Sequence, residues 1–190
     1  MIDLSLYAEF SDTSRSSFIA KLGDAFERDT AALIGEIENS LVFQFEDLTF
    51  QIQIPEGQDF LGDVMFVEPE FNRVSRWIRQ ASSHNTLLVT ERCDQLCIMC
   101  SQPPKKTHID TFEHMEKACL LAPQNIMIGF SGGEPLLYKA QLFSLIERVG
   151  QLRPDLKFHV LTNAQHFEST DIDRLRADVF KRVLWGVPLY

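Results

Sequence analysis

The apolar positions of the first 85 residues follow two different periods. Between residues 14 and 39 they recur at helical spacing, which predicts a helix. The positions are Phe18, Ile19, Leu22, Phe26, Leu33, Ile34 and Ile37. Short apolar or alternating runs then predict strands at residues 41–45, 48–54, 63–67 and 73–79. The pattern therefore predicts a small N-terminal α+β domain over residues 1–85, with a few antiparallel strands.

From residue 86 onward, short apolar strands alternate with helices. Strands are predicted at residues 86–90, 125–130, 157–161 and 180–186, and helices at residues 110–121, 139–152 and 171–178. Strands that alternate with helices form a parallel sheet with right-handed crossovers. We therefore predict an α/β fold in which residues 86–190 form part of a β/α barrel. In such a barrel, loops at the carboxyl ends of the strands build the active site.

The chain is acidic, with 27 Asp and Glu residues against 18 Lys and Arg residues and a net charge of -9. Nucleic acids and anionic membranes bind basic surfaces, so neither is an expected partner. The first residues lack the pattern of a signal peptide, and no apolar run approaches the ~20 residues of a membrane helix. The cysteines, four in number, do not indicate a disulfide framework. A reducing cytoplasm is the expected location.

Three of the cysteines follow the first strand of the alternating region. Cys93, Cys97 and Cys100 have the spacing C-x3-C-x2-C, which places three thiolates on one short loop. A cubane iron–sulfur cluster normally takes four thiolates, so three local ones leave one iron open. An open position on a metal separates a reactive site from a structural one.

A structural zinc site is the alternative for these cysteines, with His108 or Cys119 as the fourth ligand. Zinc prefers four closed ligands, usually in two separated pairs, and the chain has one triplet and no second CxxC. Cys119 also lies on the predicted apolar face of a helix, where a small buried side chain is expected. The triplet alone leaves the choice between zinc and an iron–sulfur cluster more even, and the motif after the next strand favours the cluster.

Two further motifs follow the next two strands. Gly132-Gly133-Glu134-Pro135 comes after the second strand, and Thr162-Asn163 comes after the third. Because the carboxyl ends of parallel strands meet at one edge, these motifs and the cysteine loop are expected to converge there.

The cysteine triplet and the Gly-Gly-Glu-Pro turn, each in its place after a strand, resemble the radical S-adenosylmethionine superfamily over residues 86–190. The resemblance implies a (β/α)6 barrel and a [4Fe–4S] cluster held by Cys93, Cys97 and Cys100. It implies that S-adenosylmethionine chelates the open iron and is cleaved to a 5′-deoxyadenosyl radical. It also implies an enzyme, and cofactor contacts at a further set of residues. These are Met99, Gly132, Gly133, Glu134 and Asn163.

Each of these contacts has a physical rationale. Glycines let the backbone approach the methionyl ammonium of the cofactor, and Glu134 supplies negative charge beside it. Met99 stands where the family commonly has an aromatic residue, and its thioether can pack on the adenine. Asn163 either contacts the cofactor or a neighbouring loop, or forms a plain Asx turn.

A closer resemblance is carried by three short segments. Residues 83–86, residues 100–104 and residues 185–190 are similar to the radical S-adenosylmethionine maturases of His-Xaa-Ser systems. This resemblance implies a small ribosomally made peptide as the substrate. It implies an external one-electron reductant of the flavodoxin or ferredoxin type, and a second maturase as an optional partner.

The number of predicted strands is an argument against full enzymatic activity of this chain. Only four strands are predicted from residue 86, whereas the family's barrel has about six βα units. The chain therefore resembles a radical S-adenosylmethionine core domain that is incomplete at its C-terminus. A catalytically inactive relative that binds peptide, by strand addition to the N-terminal sheet, is a second alternative to the enzyme.

Overall fold

The computed structural model describes residues 4–53, 55, 57–98, 100 and 104–188. The chain divides into two compact units. Unit one comprises residues 1–82 with residues 121–123, and unit two comprises residues 83–120 with residues 124–190.

Unit one is a closed β-barrel of seven strands. The strands are β1 (Ser5–Phe10), β2 (Phe18–Gly23), β3 (Thr30–Ile37), β4 (Ser40–Phe45), β5 (Leu48–Gln53), β6 (Val64–Glu68) and β7 (Arg73–Ile78). Their order around the barrel is β1-β5-β4-β3-β2-β6-β7, and β1 pairs with β7 to close it. The β2–β3 pair is parallel, and the other neighbouring pairs are antiparallel. Full closure leaves no unpaired strand edge.

The β4–β5 hairpin shows how the sequence pattern builds this barrel. Glu46 and Asp47 form its turn. On β5, alternate residues Leu48, Phe50 and Ile52 are almost completely buried. Phe43 on β4 pairs directly with Phe50, and their rings lie 5.8 Å apart between centroids. Cross-strand aromatic pairs of this kind stabilise a sheet and fill the core.

The helix predicted between residues 14 and 39 is wrong, because β2 and β3 occupy that segment. Ile19 and Ala20 are both fully buried, and so are the neighbouring Ala31 and Ala32. Strands that bury adjacent residues show no alternation, so the larger apolar residues gave a false helical spacing. The small α+β domain predicted for residues 1–85 is therefore corrected to a β-barrel.

Unit two contains a four-stranded sheet in which every pair is parallel. Its elements are β8 (His84–Thr90), α1 (Phe112–Leu121), β9 (Met127–Gly132), α2 (Lys139–Leu152), β10 (Lys157–Leu161), α3 (Ile172–Leu175) and β11 (Val183–Gly186). The strand order is β11-β10-β9-β8. The carboxyl ends of β8, β9 and β10 therefore lie side by side at one edge.

One face of this sheet is buried and the other is largely exposed. The buried face carries Leu87, Val89, Ile128, Phe130, Phe158 and Val160. Helices α1 and α2 supply buried apolar side chains to the core of the same unit, among them Met115 and Ile146. On the opposite face, Leu88 and Leu161 are about half exposed, at 52% and 44%.

The predicted fold class is also wrong. The chain is largely β, with a closed seven-stranded barrel, a parallel sheet and three short α-helices in the described ranges, rather than the first part of a (β/α)6 barrel. The alternation of strands and helices fixes parallel pairing and crossovers but not the closure of the sheet. None of the helices in the described ranges is long and apolar enough to cross a membrane.

Candidate functional site

A cavity of about 800 Å³ lies at the carboxyl edge of the sheet in unit two. Seven of the eight residues predicted for the site line it: Cys93, Cys97, Cys100, Gly132, Gly133, Glu134 and Asn163. The eighth, Met99, lies outside the described residues. The order of the strands explains this convergence, because the segments after β8, β9 and β10 leave adjacent strands at the same edge.

The two glycines let β9 run directly against the start of the cysteine loop. The Gly133 amide donates a hydrogen bond to the Thr90 carbonyl at 2.7 Å, and the Glu134 amide donates to the Arg92 carbonyl at 2.8 Å. A Cβ atom on Gly132 would overlap the Thr90 carbonyl, and one on Gly133 would overlap the Arg92 carbonyl. Gly132 also has a φ of +137°, which favours glycine. The glycines thus have a structural role that the sequence reasoning missed.

Glu134 ties the end of β9 to the end of β10. Its side chain is almost completely buried, and its carboxylate accepts three hydrogen bonds. The donors are the Leu136 amide at 2.8 Å, the Thr162 hydroxyl at 2.6 Å and the Asn163 amide at 2.7 Å. The Leu136 bond caps the 3-10 turn over Pro135–Tyr138. Within the described residues Glu134 has no cationic side chain paired to it, so its negative charge is held in place by neutral donors.

The three cysteines all line the cavity, but they are not gathered around one metal position. Cys93 and Cys97 are half-buried, Cys100 is exposed, and none is in a disulfide. Among the described residues, no group of three or more His, Cys, Asp or Glu side chains is gathered closely enough to hold a metal ion. The chemistry of the donors nevertheless fits an iron–sulfur cluster, since partly exposed thiolates are its usual ligands.

The two fourth ligands considered for zinc lie elsewhere. Cys119 is completely buried on α1, and burial raises the pKa of its thiol to about 12. His108 stacks on Tyr138 with 3.8 Å between ring centroids, and its Nδ1 lies 3.1 Å from the Thr90 hydroxyl. Burial lowers the pKa of His108 below its ordinary value. Neither residue is part of the cavity lining.

The base of the cysteine loop is fixed on both sides of the triplet. Arg92 donates a hydrogen bond to the Tyr138 hydroxyl at 2.9 Å. Lys105 pairs with Glu91 at 2.7 Å, and its amide donates to the Glu91 carbonyl at 3.0 Å. The two ends of the loop are therefore held together just after β8.

The middle of the loop contacts the segment after β10, which the sequence reasoning did not foresee. Asp94 accepts a hydrogen bond from the Asn163 amide group at 3.2 Å and lies 2.8 Å from Nε2 of His166. Gln95 donates to Gln165 at 3.0 Å. Burial by itself raises the pKa of Asp94, but the hydrogen bonds from His166 and Asn163 outweigh it and lower the pKa below the ordinary value. We call Asp94, Gln95, Asn163, Gln165 and His166 the loop clasp.

Asn163 combines two of the roles left open by the sequence. Its Oδ1 accepts a hydrogen bond from the Gln165 amide at 3.0 Å, which is an Asx turn. Its side-chain amide binds Asp94 on the neighbouring loop. No local signal points to the Asp94–His166 contact, because 72 residues separate the two partners.

The segments that carry the closer resemblance also reach the cavity. Thr86, Pro104, Gly186, Val187 and Pro188 all line it. Residues 101–103 and 189–190, which belong to the same segments, lie outside the described residues.

Comparisons of the whole chain with protein-family models, with curated proteins and with solved structures gave no significant match.

Proposed function

We propose that unit two binds an iron–sulfur cluster and S-adenosylmethionine in the 800 Å³ cavity and uses them for radical chemistry. One observation carries the proposal. The cysteine triplet, the Gly-Gly-Glu turn and Asn163 come from three separate segments, yet all of them line this cavity. A cavity with convergent polar groups is the ordinary form of a small-molecule site.

In this proposal Cys93, Cys97 and Cys100 hold the cluster. When bound, the cluster and S-adenosylmethionine together supply reductive cleavage of a C–S bond and a carbon radical able to abstract hydrogen. The chain's own task is to bind, orient and shield the cofactor. Glu134 presents a fixed carboxylate at the cavity wall, and Leu88 and Leu161 add apolar side chains to the lining.

The proposed substrate is a small ribosomally made peptide, and the proposed electron donor is a reductant of the flavodoxin or ferredoxin type. What supports this is the position of the segments that resemble peptide maturases. Thr86 and the run from Gly186 to Pro188 line the same cavity as the cysteines and the Gly-Gly-Glu turn.

The test is reconstitution of the chain with iron and sulfide after anaerobic purification. We expect a cluster whose low-temperature EPR signal, after reduction, changes when S-adenosylmethionine is added. We also expect deoxyadenosine to form under a strong reductant. Replacement of Cys93 by alanine abolishes both results. Cys119→Ala is the matched control, because Cys119 is buried outside the cavity, and it leaves both intact.

Two outcomes would contradict the proposal. If the purified chain holds zinc and takes up no iron, the triplet belongs to a structural zinc site. If an iron–sulfur cluster forms but its signal is unchanged by S-adenosylmethionine, the cavity does not bind this cofactor in the chain tested.

A further inference from the structure

Among the described residues of the cysteine loop, polar contacts and not apolar packing hold its middle in place. Leu96 and Ile98 flank Cys97, and these residues are 85% and 100% exposed. Neither residue therefore anchors the loop through burial. What binds this part of the loop to its surroundings is the loop clasp, in which Asp94 contacts two partners and Gln95 contacts one.

The two partners of Asp94 are themselves held in place. The Asn163 amide donates to the buried Glu134 carboxylate at 2.7 Å. The carbonyl of His166 accepts a hydrogen bond from Lys139 at 2.9 Å, and Lys139 also pairs with Asp171 at 2.8 Å. Asp94 is therefore the point at which the cysteine loop is joined to an anchored segment.

We propose that Asp94 is a positioning residue that orients Cys93 and Cys97 toward the cavity by binding Asn163 and His166. This inference rests on the proposed function, since it assigns the orientation to thiolates that hold a metal centre. Mutation of a group that orients a metal ligand from behind typically costs about 10–100-fold in metal affinity. The backbone supplies a direct link, because the Gln95 amide donates to the Cys93 sulfur at 3.5 Å.

A simple surface ion pair predicts a different result from a positioning residue. The side chains of Asp94 and His166 are 34% and 32% exposed, and pairs this open to water add little to the free energy of unfolding. Loss of Asp94 should therefore leave the unfolding transition almost unchanged. A positioning role, in contrast, predicts a change in the environment of the cysteine sulfurs.

The experiment compares Asp94→Ala with Asp178→Ala in the full chain. Asp178 pairs with Lys181 at 2.6 Å on an exposed turn, so its variant also loses a surface pair but lies outside the clasp. The first measurement is the rate of iodoacetamide labelling of each cysteine in the reduced, metal-free chain, read by mass spectrometry. The second is retention of iron by the reconstituted chain against a chelator.

For Asp94→Ala we expect labelling of Cys93 and Cys97 to change several-fold and iron retention to fall about tenfold, the lower end for loss of such a partner. Asp94→Asn keeps an acceptor for Asn163 and should give labelling rates and iron retention between those of Asp94→Ala and the unaltered chain. Asp178→Ala should match the unaltered chain. The proposal is overturned if Asp94→Ala and Asp178→Ala give the same labelling rates at Cys93 and Cys97.

The two readouts separate this inference from the proposed function. If the unaltered chain takes up no iron, the proposed function fails, while the labelling rates still decide whether Asp94 orients the thiols. If the unaltered chain binds iron and Asp94→Ala retains it equally well, the proposed function stands and the role of Asp94 is refuted.

Discussion

Glu134 of the Gly-Gly-Glu-Pro motif contributes to the stability of unit two through its buried hydrogen bonds. The motif suggested a carboxylate facing a cofactor cation, and the structure shows a buried carboxylate with three donors from its own chain. Each of those donors loses its acceptor if the oxygen atoms are removed. A buried donor without a partner costs about 1–3 kcal/mol.

We therefore expect Glu134→Gln to lower the free energy of unfolding of unit two by about 1–3 kcal/mol, because one amide hydrogen then faces a donor. Trp185 lies in unit two and Trp77 in unit one. Urea denaturation followed by tryptophan fluorescence in a Trp77→Phe background reports on unit two. Glu113→Gln on the exposed start of α1 is the matched control. An unchanged transition for Glu134→Gln would show that the buried hydrogen bonds add nothing.

The four cysteines should differ sharply in reactivity. Only the thiolate reacts with alkylating agents. With a pKa of about 12 and a completely buried side chain, Cys119 remains a thiol at neutral and mildly alkaline pH. We expect iodoacetamide to label Cys93, Cys97 and Cys100 in the folded chain and Cys119 at least about 100-fold more slowly. Labelling in denaturant should include all four, and fast labelling of Cys119 in the folded chain would contradict its burial.

At the scale of elements, Arg153 and Asp155 fix the connection between α2 and β10. The carboxylate of Asp155 pairs with the guanidinium at 2.8 Å and accepts a hydrogen bond from the Asn125 amide at 3.2 Å. Arg153 also donates to the Leu120 carbonyl near the end of α1 at 2.9 Å. The hydrogen bond from Arg153 is the main reason that the pKa of Asp155 is lowered to about 2.

A lowered pKa means that the folded chain favours ionised Asp155, so its stabilising effect is present above the ordinary pKa of 3.8 and is lost as the pH falls through about 2. At neutral pH we expect Asp155→Asn to cost about 1–2 kcal/mol of unfolding free energy, after allowance for partial exposure. The difference from the unaltered chain should shrink toward about pH 2 in denaturation at stepped pH. Asp173→Asn, at an exposed pair, should show no such dependence. If the difference in unfolding free energy between Asp155→Asn and the unaltered chain stays constant with pH, the lowered pKa of Asp155 is refuted.

The elements of unit two were much easier to predict than those of unit one. Its strands follow short apolar runs, and Asp110, where the first helix was predicted to begin, accepts a hydrogen bond from the Phe112 amide at 3.1 Å. In unit one, β2 and β3 were mistaken for a helix because each buries adjacent residues, such as Ile19 and Ala20 on β2, and so lacks the alternation of a half-buried strand.

For the candidate site, local motifs were visible and contacts between segments were not. The cysteine triplet and the Gly-Gly-Glu turn can be recognised from spacing alone. The reason for Gly133 is the adjacent Arg92 carbonyl, and the loop clasp joins residues about seventy positions apart. Both depend on which strands become neighbours. The identity of the metal and of the cofactor stays a prediction from those motifs.

At the scale of the whole molecule, the candidate site belongs entirely to one unit. Every residue that lines the cavity lies within unit two, whereas the apolar cluster around Phe43 and Phe50 belongs to the barrel of unit one. A ligand stabilises only the structure that must be formed for it to bind. Its effect on each unit therefore reports whether the two units open independently.

We expect reconstitution with iron and sulfide to slow hydrogen exchange in β8, β9 and β10 and to leave β1–β7 unchanged. A ligand at 100 times its dissociation constant adds about 2.7 kcal/mol to the stability of its site, which slows exchange through unfolding about 100-fold. The measurement is hydrogen–deuterium exchange with peptide-level mass spectrometry, and Cys93→Ala treated in the same way is the control. Equal slowing in the barrel would mean that unit one opens only together with unit two. Slowing that persists in Cys93→Ala would show that the added iron acts at a place other than the cysteine loop.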